Sequence, residues 1–151
     1  MLSLEEISDR LEINDLLVRY SHHLDRGDWD GLRREVFTPD AVIDYSELGG
    51  SVGDLEETLT FLSSAMPMFK SYQHLVANSV VEIDGDEATA RTICFNPMVF
   101  EKPGGDEHVF YCGLWYVDRL VRTPEGWRIA ARREERSYVD NMPTDLAPPA
   151  E

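Results

Sequence analysis

Gln73-His74-Leu75-Val76-Ala77-Asn78-Ser79-Val80-Val81-Glu82-Ile83, followed by Asp84-Gly85-Asp86, is where this chain changes character. Apolar and β-branched residues crowd the segment, and the Asp-Gly-Asp cluster that ends it is turn-forming, so it reads as one arm of a hairpin. Residues 87–101, 107–122 and 127–139 repeat the composition, rich in Val, Ile, Tyr, Phe and Trp. The breaks between them, Pro103-Gly104-Gly105-Asp106 and Thr123-Pro124-Glu125-Gly126, are turn clusters as well. An antiparallel meander of four long strands is predicted from residue 73 onward. Strands this long twist, and a twisted sheet of them must curl.

Upstream of residue 73 the periodicity is helical. Ile13, Leu16, Leu17, Tyr20 and Leu24 form one apolar stripe over residues 4–25, entered through Ser3 and Glu6 as a capping box. Gly27 stops that helix, and Asp28 caps a short one expected over residues 29–37. Thr38-Pro39-Asp40 ends it, and residues 41–45 alternate as a short strand finishing at Tyr45. A third helix starts near Asp54 with Leu55, Leu59, Leu62 and Ala65 inward. Pro67 interrupts it and leaves Met66, Met68 and Phe69 as a flexible apolar cluster. Helices first and a meander afterwards make an α+β fold, with the curled sheet closed by helices into a cone that encloses a pocket. Residues 1–140 form one domain; 141–151, with Pro143, Pro148 and Pro149, carry no core signal and read as a loose or externally docked tail.

The chain has 151 residues, 42% of them hydrophobic, enough for one substantial core. A net charge of −15 argues against nucleic-acid and anionic-membrane partners, which are held through Lys and Arg. No run of apolar residues is long enough to span a bilayer. The opening Met-Leu-Ser-Leu-Glu-Glu-Ile is acidic and enters a helix directly, unlike a secretory signal. Cys94 and Cys112 have neither disulfide-scaffold density nor metal-type spacing, so a reduced, cytoplasmic protein is expected. No metal-ligand cluster, phosphate loop or nucleophile elbow is present in the sequence.

Several polar residues fall where a core is expected. Asp25 stands on the last turn of the first helix, where unpaired carbonyls repel a carboxylate. It is either solvated, or aimed inward as part of a site. His74 opens the first long strand on the face of Val76 and Val80, as a satisfied core histidine or as a functional one. If Asp84–Asp86 is a three-residue loop, Ile83 pairs with Glu87 and His74 falls opposite Asn96, with Cys94 and Met98 beside them. A slip of one residue undoes that pairing. Arg133 shares a face with Trp127, Ile129 and Ala131, so it either faces inward and needs a partner or ends the strand in solvent. Tyr111, Trp115 and Tyr116 offer aromatic lining, and alternation leaves open which of Trp115 and Tyr116 points in. His22, His23 and His108 read as surface or helix-end residues.

Ile13-Asn14-Asp15-Leu16-Leu17-Val18-Arg19-Tyr20, Leu24-Asp25 with Asp28-Trp29, Phe37-Thr38-Pro39-Asp40-Ala41 with Asp44-Tyr45, and Gly126-Trp127-Arg128-Ile129 together resemble the SnoaL-like branch of the NTF2-like (cone-shaped α+β) superfamily. The resemblance spans residues 4–140. Within the branch it is similar to dehydratase-type enzymes such as scytalone dehydratase, bile acid 7α-dehydratase and hexachlorocyclohexane dehydrochlorinase. It implies an Asp–His pair at Asp25 and His74, contributions from Tyr20 and Tyr45, and a last-strand arginine for which Arg133 is the nearest match. Asn96 stands where scytalone dehydratase would lead one to expect a second histidine.

An imidazole oriented by a carboxylate can take a proton from carbon near neutral pH. Tyr45 and Tyr20 would hydrogen-bond a carbonyl as it becomes enolate-like, or protonate a leaving hydroxyl. Asn96, Arg133, Trp115, Tyr116, Met66, Phe69 and Met98 would bind the substrate. The expected activity is a cofactor-independent lyase of dehydratase type, acting on a small, largely apolar cyclic or polyketide-like molecule and needing no metal. An isomerase, a cyclase or a non-catalytic binding module are the alternatives. The resemblance also implies a homo-oligomer, a trimer before a dimer.

Overall fold

The computed structural model describes residues 1–144. Helix α1 spans Leu4–Arg26 and buries Ile13, Leu16, Leu17, Tyr20 and Leu24, the stripe that its periodicity predicts. Ser3 accepts from the Glu6 N–H at 3.0 Å, while the Glu6 carboxylate goes to Arg10 instead of completing the box. Gly27 ends the helix at φ 65, the left-handed conformation that glycine adopts without a Cβ clash. Buried Asp9 ties α1 to the sheet: it accepts from Arg122 at 2.6 and 2.8 Å and from Trp127 Nε1 at 3.1 Å. The Arg122 guanidinium holds the Asp9 carboxyl below its ordinary range.

The second helix is shorter than its sequence suggests. α2 covers only Trp29–Gly31, capped by Asp28, and passes into a π-helical turn over Leu32–Val36. Strand β1, Phe37–Asp44, starts four residues before the expected strand. Pro39 falls where the pairing of β1 with the last strand lapses, between Phe37 and Val42, so its missing N–H costs no ladder bond. β2 (Val52–Asp54) leads into α3 (Leu55–Ala65), whose capping box is complete: Asp54 and Glu57 each accept the other's backbone N–H. A single 3₁₀ turn, Met66–Met68, accommodates Pro67.

The rest is sheet: β3 (Ser71–Tyr72), β4 (Leu75–Asp84), β5 (Glu87–Glu101), β6 (Glu107–Thr123) and β7 (Gly126–Asp140). The order is β2-β1-β7-β6-β5, with β3 and β4 both paired to β5. All pairs are antiparallel except β1 with β7. This is a strongly curled, mostly antiparallel half-barrel packed against helices. Among the described residues no helix is long and apolar enough to cross a membrane.

Bulges set which side chains face the concave side. β5 and β6 pair without interruption from Glu87↔Val121 to Glu101↔Glu107, so Ala88, Ala90, Thr92, Cys94, Asn96 and Met98 point inward opposite Phe110, Cys112, Leu114, Tyr116, Asp118 and Leu120. The β4–β5 turn is tighter than the three-residue loop expected: Asp84 pairs with Glu87, and Gly85 takes φ 60 at the first turn position. A bulge between Ala77 and Val80, with Asn78 at φ 52, then shifts the register by one. Leu75 consequently lies opposite Phe95, which brings His74 alongside Asn96. The same bulge turns Val80 outward, 66% exposed, against the expectation that it shares the face of Val76. On β7 an extra residue at Ala130 separates the pairs Arg119↔Ala131 and Leu120↔Ile129. Trp127 and Ile129 are buried before it, and Ala130 and Arg132 from it onward.

The tail corrects its prediction in part. Pro143 is buried and Met142 packs on the core, so the first tail residues dock on this chain. Pro148 and Pro149 lie outside the described residues.

Candidate active site

The concave face, α1, α3 and the Met66–Met68 turn enclose a cavity of about 240 Å³. Its walls are mostly apolar, from Leu24, Phe61, Met66, Met68, Phe69, Met98, Phe110 and Met142. The polar groups on it are Tyr20, Tyr45, His74, Asn96, Tyr116 and Glu134. A few convergent polar groups in an apolar cavity are the usual form of a small-molecule site.

His74 precedes β4 by one residue rather than lying within it. Asp25 grips it twice: the carboxylate accepts from the His74 backbone N–H at 3.0 and 3.2 Å and from ring Nδ1 at 2.6 Å. Because a carboxylate only accepts, the ring nitrogen facing it carries the proton, and the lone pair is left on Nε2. Nε2 has no hydrogen-bond partner among the described residues, and the His74 side chain, 9% exposed, borders the cavity. Asp25 itself borders a neighbouring surface cleft with Trp29, Lys70 and Tyr72, not the cavity. It therefore meets the cavity only through the imidazole that it holds. The repulsion expected at the helix end is offset by those N–H donors.

Tyr20 and Tyr45 share a hydrogen bond of 2.8 Å between their hydroxyls, and Tyr116 packs edge-on against Tyr20 at 5.4 Å. Burial raises all three hydroxyls above the usual tyrosine range, most strongly Tyr45 and Tyr116, which keeps them neutral donors. Asn96 lines the cavity and donates to the Gln73 carbonyl at 3.0 Å, bracing the segment that carries His74. Met66, Phe69 and Met98 lie on the wall as expected.

Two expected ligand-binding residues are elsewhere. Trp115 points to the convex face, where Arg91 stacks on it at 4.2 Å; Tyr116 is the inward residue of that pair. Arg133 is also outside, with its side chain 54% exposed and paired to Glu135. The bulge at Ala130 rephases β7, so Arg132 is the buried one. Its Nε and Nη2 each donate to Asp118 at 2.7 Å, and its guanidinium lies 4.0 Å from the ring centres of both Tyr20 and Tyr116. Two residues on, Glu134 reaches the cavity. Neither Arg132 nor Glu134 is singled out by the sequence, because the run Arg132-Arg133-Glu134-Glu135-Arg136 reads alike in either phase and only Ala130-Ala131 hints at a bulge.

Residues 5–133 match the model of the SnoaL-like domain. The chain belongs to the SnoaL-like family. This SnoaL-like domain is 51% identical over 142 residues to the uncharacterized protein Rv2910c of Mycobacterium tuberculosis, covering 94% of this chain and 95% of that one. A scytalone dehydratase-like protein of Novosphingobium aromaticivorans superposes with a TM-score of 0.79 at 17% identity, over 91% of this chain and 90% of that one. The LinA-type3 hexachlorocyclohexane dehydrochlorinase of Novosphingobium barchaimii gives 0.78 at 15% identity, over 93% and 94%. The SnoaL-like domain thus has the NTF2-like cone fold, as its sequence resemblance implied, with dehydratase-like and dehydrochlorinase structures among its neighbours.

Proposed function

We propose that this SnoaL-like domain is a cofactor-independent lyase of dehydratase type. The observation that carries the reading is the 2.6 Å contact of Asp25 with His74 Nδ1, which leaves Nε2 as a base at an apolar cavity. His74 removes a proton next to a carbonyl, and the tyrosine hydroxyls hydrogen-bond the oxygen as negative charge develops on it. Asp25 stabilises the imidazolium formed in that step. The cavity suits a small ring or polyketide-like substrate. The scytalone dehydratase-like and dehydrochlorinase neighbours support elimination as the reaction class.

Proton removal beside a carbonyl is also the first step of double-bond isomerisation and of ring closure, and the two outcomes separate in heavy water. With cyclic β-hydroxy ketones, the lyase reading expects loss of water to a conjugated enone, followed by its absorbance. Deuterium entering the α-carbon with no loss of water favours an isomerase; binding with neither event favours a non-catalytic module.

We also infer a homo-oligomer assembled through the convex sheet face. Leu75, Val80, Ile93, Val109 and Tyr138 are 37–66% exposed there, and Phe95 stacks on Tyr111 beside them. Sedimentation equilibrium is expected to give a trimer. Replacing Ile93 by Lys is expected to release monomers, and an unchanged assembly argues against this face.

A further inference from the structure

Glu134 is a carboxyl group that the mechanism above does not use. It sits on β7 directly opposite Tyr116 of β6, and His74 enters at the start of β4, three strands away across β6 and β5. Both side chains border the same cavity of about 240 Å³. No hydrogen bond or ion pair reaches the Glu134 carboxyl among the described residues. The cation that acts on it is Arg132, whose guanidinium is already committed to Asp118 and packed against Tyr20 and Tyr116. Its other charged neighbours, Asp44 on β1 and Glu47 in the 3₁₀ turn Ser46–Leu48, are negative. The remaining titratable groups around it, Tyr20, Tyr45, Tyr116, Cys94 and Cys112, are all held neutral by burial.

We propose that Glu134 is the general acid of the elimination, protonating a departing hydroxyl while His74 takes the carbon-bound proton. Burial is the main cause that pushes its carboxyl up to about 8, with Asp44 and Glu47 adding to it and Arg132 opposing. A neutral acid at neutral pH is what the role requires. The step balances. Nε2 of His74 takes the proton α to the carbonyl, and that C–H pair becomes the new double bond. The C–O bond at the β-carbon breaks, its pair goes to oxygen, and the oxygen takes the Glu134 proton and leaves as water. The enzyme is left as imidazolium and carboxylate, and transfer of one proton between them through solvent restores it.

This inference rests on the elimination reading and narrows its substrate class to alcohols. Hydroxide is a poor leaving group and needs a proton in the transition state, whereas chloride departs without one. An acid on the wall therefore fits a β-hydroxy carbonyl compound and has no use in dehydrochlorination. Among the described residues the lining carries no lysine or arginine to hold an anionic substrate.

The test compares β-hydroxycyclohexanone with β-chlorocyclohexanone, both followed as the conjugated enone. Glu134→Gln keeps the shape and removes the acid. It is expected to lower kcat/KM for the hydroxy ketone by about 100-fold or more, and for the chloro ketone by far less. Equal losses on the two, no loss on the hydroxy ketone, or a wild type that eliminates only chloride would overturn the role of Glu134 and leave His74 as the base. A wild type inactive on both overturns the elimination reading itself. A second arm needs no substrate. A carboxyl raised in the fold keeps its proton where the unfolded chain, at about 4.3, has lost it, so folded stability falls as pH rises between these values. Glu134→Gln should remove that decline, gaining on wild type from about pH 4 up to about pH 8. Parallel stability curves would mean an ordinary carboxyl and would overturn the proposal.

Discussion

Replacing His74 by Gln is expected to lower kcat/KM for a cyclic β-hydroxy ketone by about 100-fold to 10,000-fold, the range that a positioned general base contributes. The side chain's own hydrogen bond is to Asp25, and the backbone N–H of residue 74 still donates to that carboxylate in the variant. The segment before β4 should therefore keep its place, and circular dichroism and thermal unfolding should be close to wild type. Asp25→Asn tests the other half of the pair. An amide presents one acceptor and one donor face to two N–H groups that both donate, so one contact is lost or the imidazole takes the other tautomer. A loss of similar size is expected even though Asp25 does not border the cavity. Full activity in both variants would remove His74 as the base.

The second large effect falls on stability. Arg132 and Asp118 are both fully buried, joined by two hydrogen bonds of 2.7 Å, and Arg132 Nη1 has no partner among the described residues. Asp118→Ala strands a guanidinium where water cannot reach it, and breaking a buried pair from one side costs about 3–5 kcal/mol. Urea unfolding is expected to show a midpoint lowered accordingly at unchanged slope. Arg132→Met leaves the carboxylate uncompensated and should cost a similar amount. The double variant Asp118→Leu with Arg132→Met removes both charges and is expected to be more stable than either single one. A cost below about 1 kcal/mol for Asp118→Ala would put this pair among ordinary surface ion pairs. Activity reads separately, because Arg132 also packs on Tyr20 and Tyr116, two of the polar groups at the cavity.

Much of the architecture was legible in the residues. The α1 stripe, Gly27 as its stop and the turn clusters between long strands required only local chemistry, and the structure keeps all of them. The Asp25–His74 pair was reachable through the family resemblance and not through pattern, since no local rule brings residue 25 to residue 74. The neighbourhood of His74 and Asn96 was anticipated through a three-residue loop that does not exist. A tighter turn and a bulge at Asn78 offset each other and restore the same register. Arg133 and Trp115 failed for related reasons. Strand alternation gives parity only up to an unknown phase, and an inserted residue at Ala130 reverses that phase with little composition signal. Glu134 and Arg132 were hidden by the same reversal.

That inserted residue has a consequence for how such a pocket diversifies. Before Ala130 the strand presents Trp127 and Ile129 to the interior, and beyond it Arg132 and Glu134. The chemistry of this half of the wall is therefore written in the number of residues between Ile129 and the rim as much as in their identity. Losing one codon there would hand the interior to Arg133 and Glu135 at a stroke, replacing an acid and a buried cation by their outward neighbours. A scaffold with a hinge of phase of this kind can exchange one pocket lining for another in a single event, while the ladder of β6 against β5 keeps its register.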